Sequence, residues 1–96
     1  MSDDIIIEET DTKGRYVLSI DDGPEAELTY SRAGAELMII DHTGVPDAYR
    51  GQGIGLKLVS RAVEDARASG LKIMPLCPFA AAQFKRHPEW ADVLKG

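Results

Sequence analysis

Residues Arg50 to Gly55 read Arg-Gly-Gln-Gly-Ile-Gly and run directly into an amphipathic stretch. Three glycines in five positions remove the Cβ atoms that would hold a ligand away from the backbone. A helix starting here offers amide hydrogens without internal partners, at the end where its dipole favours negative charge. With the guanidinium of Arg50 beside them, these groups suit the grip of a phosphate or diphosphate. The alternative is a glycine-rich strand-to-helix turn with no ligand. Arg50, a cation beside exposed amides, weighs against it.

Two better-known phosphate loops are excluded by spacing. A Walker A loop has Gly and Lys adjacent, whereas Leu56 separates Gly55 from Lys57. The dinucleotide fingerprint fails because Leu56 stands where its third glycine belongs.

Two side chains could do acid–base or nucleophilic chemistry. His42 lies near the end of a predicted strand, and strict alternation puts it on the face of Met38 and Ile40, with Asp41 on that of Leu37 and Ile39. An unperturbed histidine titrates near pH 6.5, which suits a general base. Its alternative is a histidine that hydrogen-bonds the loop backbone. Cys77 precedes Pro78 at the start of a predicted helix, where a thiol with a lowered pKa can act as a nucleophile. Its alternative is a small buried hydrophobe.

These residues are positioned by strands in the first half and helices in the second. Ile5–Glu9, Arg15–Ile20, Glu25–Tyr30 and Glu36–Thr43 read as strands. Turns are expected at 12–14, 21–24 and 32–34, which predicts an antiparallel meander with one buried face. From Ile54 the apolar positions Leu58, Val59, Ala62, Val63 and Ala66 recur at helical spacing, and Gly70 is the expected C′ residue. Leu71–Leu76 reads as a strand parallel to Glu36–Thr43 through a right-handed crossover. Pro78 opens a second helix that stops before Pro88. Glu89–Leu94, with Trp90, predicts a short helical segment packed back onto the sheet. The fold class is α+β.

Composition bounds the rest. Ninety-six residues, 44% hydrophobic and 28% charged, predict a single domain over 1–96. The net charge of −5 argues against nonspecific nucleic-acid or anionic-membrane binding. One cysteine, and two histidines far apart in sequence, argue against a disulfide or a metal centre. Acidic Asp3 and Asp4 do not fit a signal peptide or presequence, and no apolar run is long enough for a membrane span. The cytoplasm is the expected location. Met38 and Met74 read as core, Trp90 as a tail anchor, and Glu8, Glu9, Asp21, Asp22, Glu25 and Glu27 as solvated faces and turns.

Arg50-x-x-Gly53-x-Gly55, set between antiparallel strands and a helix, resembles the acetyl-CoA signature of the GCN5-related N-acetyltransferases. His42-Thr43-x-Val45-Pro46 ahead of the loop, with Leu76-Cys77-Pro78-Phe79 after it, resembles the very small members of that superfamily. The resemblance implies a fold in which the two parallel strands splay apart. It implies that the backbone of Arg50, Gly51, Gln52, Gly53, Ile54 and Gly55 cradles the diphosphate of coenzyme A, and that Thr43 to Val45 pairs with the pantetheine arm. Phe79, Ala80 and Phe84 are expected beside the coenzyme. The implied activity is acetyl transfer from acetyl-CoA to an amine, of a small molecule or a protein, with no metal. Such transfer needs a base to keep the amine neutral and an acid for the departing thiolate. The superfamily's Asn-x-x-Ala-x-x-x-Tyr pattern falls here on Cys77, Ala80 and Phe84. Phe84 lacks the acidic hydroxyl, which leaves the acid role to Cys77 or water. The same departure supports a rival reading, a noncatalytic acyl-CoA-binding module, and a third, an acyl carrier step through Cys77. Ordinary members also carry N-terminal helices that help bind the acceptor, and here only tight turns stand in their place.

Overall fold

The computed structural model describes residues 5–20 and 22–95. Five strands form one sheet in the order β1-β2-β3-β4-β5: Ile6–Glu9, Lys13–Leu18, Ala26–Ala33, Leu37–Gly44 and Lys72–Pro75. The first four are antiparallel and β5 runs parallel to β4. Helix α1 spans Ile54–Ser69 and α2 spans Pro78–Arg86, with 3-10 turns at Asp47–Tyr49 and Pro88–Val93. The α+β class and the β-α-β unit are as the periodicity predicts.

Alternation sets the core. Tyr16, Leu18, Leu28, Tyr30, Met38 and Ile40 face the stripe of α1 that carries Leu58, Val59, Ala62, Val63 and Ala66, and all are buried. Ala80, Phe84 and Trp90 join the same core, with Phe84 edge-on to Trp90 at 5.3 Å. The outward row is charged. Arg15 there pairs with Glu8 at 2.7 Å and Glu27 at 2.8 Å. Such half-exposed pairs contribute little stability. β1 is less buried than its apolar run suggests, since Ile6 and Ile7 are exposed.

Several turns sit elsewhere than expected. β2 begins at Lys13, because the turn closes earlier: the Thr10 N–H donates to the Lys13 carbonyl at 2.7 Å. Gly14 therefore lies within the strand, where an added Cβ would come within 2.4 Å of the Tyr30 ring. β3 continues to Ala33, opposite Leu37, and Gly34 turns the chain with φ of 73°. Asp21, in the expected turn at 21–24, lies outside the described residues. The tail behaves as read. Leu94 bridges to Ile73, and the Lys95 N–H donates to the Ile73 carbonyl at 2.8 Å, covering the free edge of β5.

Two irregularities in β4 shape the site. The first is a bulge: Leu28 pairs with Thr43 and Thr29 with His42, but Tyr30 pairs with Ile40, leaving Asp41 as the extra residue. The expected placement of His42 beside Met38 and Ile40 is therefore wrong. One inserted residue reverses every later side chain, so His42 lies exposed on the outer face and Thr43 turns inward. Asp41 does share the face of Ile39; its carboxylate accepts a hydrogen bond from Ser31 at 2.8 Å. The second is the splay. β4 and β5 pair only from Leu37–Lys72 to Ile40–Pro75, and β4 then continues to Gly44 paired with β3 alone. The N–H groups of Leu76 and Cys77 both reach the Ile40 carbonyl at 3.1 Å, where the two chains part.

Candidate functional site

The loop after β4 is pinned from beneath. Tyr49 is buried; its hydroxyl donates to the Pro24 carbonyl at 2.6 Å and accepts from the Ile20 N–H at 2.9 Å. This ties the approach to the glycine loop onto the turn between β2 and β3. The amides of Arg50 and Gln52 close the local turn on the carbonyls of Asp47 and Tyr49, at 3.0 and 3.2 Å. Gln52 is thus engaged with its own loop, and its side chain also points back to the Ala48 carbonyl at 3.4 Å.

The three glycines serve two purposes. Gly51 and Gly53 have φ of 81° and 71°, and a Cβ on either would meet open space. They are glycines because the backbone must turn left-handed there. Gly55 has ordinary helical backbone, but a Cβ on it would come within 2.7 Å of Phe79 Cζ. Glycine there lets the aromatic ring lie against the head of α1.

That head is unfinished. Gly53 occupies the N-cap without a side-chain hydrogen bond, and the first turn holds no acidic residue. The first helical bond runs from the Lys57 N–H to the Gly53 carbonyl at 3.0 Å, so the amides of Gly53, Ile54, Gly55 and Leu56 stand outside the ladder. They open toward a hollow of about 320 Å³. Val45, Arg50 and the glycines form one wall, and Phe79, Gln83 and Arg86 of α2 form the other. Arg50 is highly exposed and pairs with Asp47 at 2.9 Å. A larger open hollow of about 700 Å³ lies across the outer face around Glu8, Lys13, Arg15 and Asp41. Arg15 with Glu8, and Asp41 with Ser31, are already paired there, so it offers a ligand less.

Cys77 and Thr43 meet at the splay. The Cys77 thiol lies 3.6 Å from the Thr43 hydroxyl and is buried. Burial pushes the thiol up. The backbone N–H of Ala80, the Thr43 hydroxyl, the backbone N–H of Phe79 and the Thr43 backbone together pull it further down, so it rests below the ordinary cysteine value. The N-terminus of α2 thus favours the thiolate. His42 is on the opposite face of β4, its ring against Gly44, where a Cβ would come 3.1 Å from Nε2.

Arg50, Gly51, Gly53, Ile54, Gly55, Val45 and Phe79 are brought around one hollow, which Gln52 does not line, and Cys77 with Thr43 around the gap beside it. Ala80 and Phe84 belong to the core, because helical spacing turns them onto the sheet while Phe79 and Gln83 turn toward the hollow. Gln83 and Arg86 escaped the sequence reading. Polar residues on a short helix read as a solvated face, and only the fold shows which way they point.

Among the described residues no cluster of His, Cys, Asp and Glu could hold a metal, and no helix is long and apolar enough to cross a membrane. A family model described as GCN5-related N-acetyl-transferase matches residues 15–93. The protein called NATD1 from Gallus gallus and from Mus musculus is 35% identical over 63 residues, 66% of this chain. That stretch is 57% of NATD1, so the chain covers less than two thirds of these relatives. A Staphylococcus aureus protein solved in solution by NMR and described as GCN5-like superposes with a TM-score of 0.74 at 36% identity, over 100% of this chain and 92% of its own. The chain belongs to the GCN5-related N-acetyltransferase family.

Proposed function

We propose that residues 1–96 form one catalytic unit that binds acetyl-CoA and transfers its acetyl group to an amine. The observation that carries this is the head of α1. It lacks a side-chain cap and an acidic first turn, follows two left-handed glycines with open space above them, and stands beside Arg50. Free amides, room for close approach and a guanidinium fit a diphosphate, and the hollow they line is open to solvent on the side away from the core.

In this reading the amides from Gly53 onward, with Gly51 and Arg50, hold the diphosphate, and Gln52 braces the turn. The unpaired edge of Thr43 to Val45 receives the pantetheine arm as an added strand. Val45 and Phe79, both partly exposed, flank that arm. When bound, acetyl-CoA supplies an activated acyl thioester. Cys77 holds a proton at the gap, next to Thr43, for the departing sulfur. His42 reaches the amine from the outer face and accepts its proton. The bulge at Asp41 divides these roles between the two faces of β4.

A second reading, a noncatalytic acyl-CoA-binding module, draws on Phe84. Its ring is buried against Trp90 and carries no hydroxyl where the family's acid is expected. Calorimetry with acetyl-CoA, followed by mass spectrometry of amines and peptides incubated with both, decides between the two. Saturable binding with acetylated product is the expected result. Binding without product supports the module, and an absence of binding removes both readings.

A further inference from the structure

We infer that Arg86 and Gln83 of α2 hold the 3′-phosphate of coenzyme A, so that the protein selects the coenzyme over its 3′-dephosphorylated form. This rests on the coenzyme reading above and goes beyond it. The loop and Arg50 account for the diphosphate. Coenzyme A carries a third phosphate, a monoester of nearly two negative charges, which needs partners of its own.

Two observations place those partners on α2. Gln83 is 8% exposed, lines the hollow opposite the glycine loop, and its side-chain amide pairs with no other group of the described residues. The side chain is largely buried, yet its amide leaves its hydrogen-bonding capacity to whatever occupies the hollow. Arg86 lies three residues on, one turn along the same face of the helix, and lines the same hollow.

The second observation is its isolation. Arg15 pairs with Glu8, Arg32 with Glu9, Arg50 with Asp47, Arg61 with Asp65, and Arg67 with Asp92. Among the described residues Arg86 alone of the arginines has no carboxylate partner, in a chain with a net charge of −5. An arginine kept free of carboxylates beside an unpaired amide presents N–H donors in the geometry that a phosphate monoester accepts. The helix dipole explains a cation in the last turn of α2, but Lys85 serves that purpose equally and does not line the hollow.

Calorimetry of the full chain with coenzyme A and with dephospho-coenzyme A, at one fixed salt concentration, tests the assignment. The wild type is expected to bind coenzyme A about 10- to 100-fold more tightly, the range for charge-assisted hydrogen bonds. Arg86→Gln should weaken coenzyme A by most of that ratio and leave dephospho-coenzyme A unchanged. Gln83→Met should take away a smaller part of it, with circular dichroism confirming that each variant is folded. Equal affinity of the wild type for the two ligands overturns the assignment, as does an Arg86→Gln variant that weakens both alike. Failure of the wild type to bind either ligand overturns the coenzyme reading and this one with it.

Discussion

The two ends of α1 are finished in opposite ways. At its C-terminus Gly70 is left-handed, and a backbone N–H returns to the Ala66 carbonyl. Around that end most polar side chains are paired, Arg32 Nε being the exception. The Tyr16 hydroxyl donates to Asp65 at 2.8 Å, and Asp65 also pairs with Arg61. The Tyr30 hydroxyl donates to Glu9 at 2.6 Å, and Glu9 also accepts from Arg32 at 2.8 Å. Burial, with the neighbouring Glu9, pushes the Tyr30 hydroxyl up to about 12. Arg32 Nε is the one buried side-chain polar atom of the described residues without a partner. At the N-terminus the helix has no side-chain cap, Gln83 and Arg86 are unpaired among the described residues, and Val45 and Phe79 are exposed apolar groups lining the hollow. One end is closed by its own side chains. The other leaves its hydrogen-bonding capacity for something else.

That contrast predicts mutations that separate stability from binding. Tyr30→Ala should have the largest effect on stability. It empties the site of a fully buried aromatic and removes the hydroxyl from Glu9 and Arg32, which remain paired with each other. Urea unfolding should show a loss of about 3–5 kcal/mol. Calorimetry on the folded fraction should show an unchanged affinity for coenzyme A, since the ring lies away from the glycine loop. A parallel fall in affinity would mean that the two ends are not independent.

The sequence was most readable where periodicity and glycine chemistry act locally. The strands, both helices, the Gly70 cap and the parallel pairing follow from spacing two and spacing 3.6. The loop at 50–55 stood out because three glycines and an arginine lead directly into a helix start. What was illegible depends on partners distant in sequence. Gly14 reads as a turn residue, yet its absent Cβ makes room for Tyr30, sixteen positions on. The bulge at Asp41 has no local signature, and it moved His42 to the other face. Gln83 could not be told from a solvated residue until the fold put it opposite Gly53.

Gly53→Val breaks the comparison from the other side. A β-branched residue at φ of 71° is strained by about 1–3 kcal/mol, so thermal or urea unfolding should show a loss smaller than that of Tyr30→Ala. The affinity for coenzyme A should fall by at least about tenfold, as expected for one or two charge-assisted hydrogen bonds no longer aligned. Here binding is damaged along with folding, whereas the first variant leaves binding intact. An affinity equal to wild type would remove the amides of the α1 head from the grip.

The smallest effect, and the sharpest in chemistry, concerns Cys77. Its thiolate is favoured in the folded chain by the N–H groups of α2 and by Thr43, against a burial penalty. A thiol lowered on folding contributes stability above its ordinary titration range, and that contribution is lost as pH falls through the lowered folded value. The rate of alkylation by iodoacetamide reports the same equilibrium, because only the thiolate reacts. Its rise with pH should have a midpoint below that of free cysteine measured alongside. Thr43→Val removes the hydroxyl 3.6 Å away while keeping the side-chain shape, and should move the midpoint upward. The Tm should change little, since the hydroxyl contributes one weak hydrogen bond to sulfur. A midpoint unchanged by Thr43→Val would leave the helix amides as the sole cause. A midpoint at or above that of free cysteine would show that burial dominates, making Cys77 a packing residue and returning the proton at the gap to water.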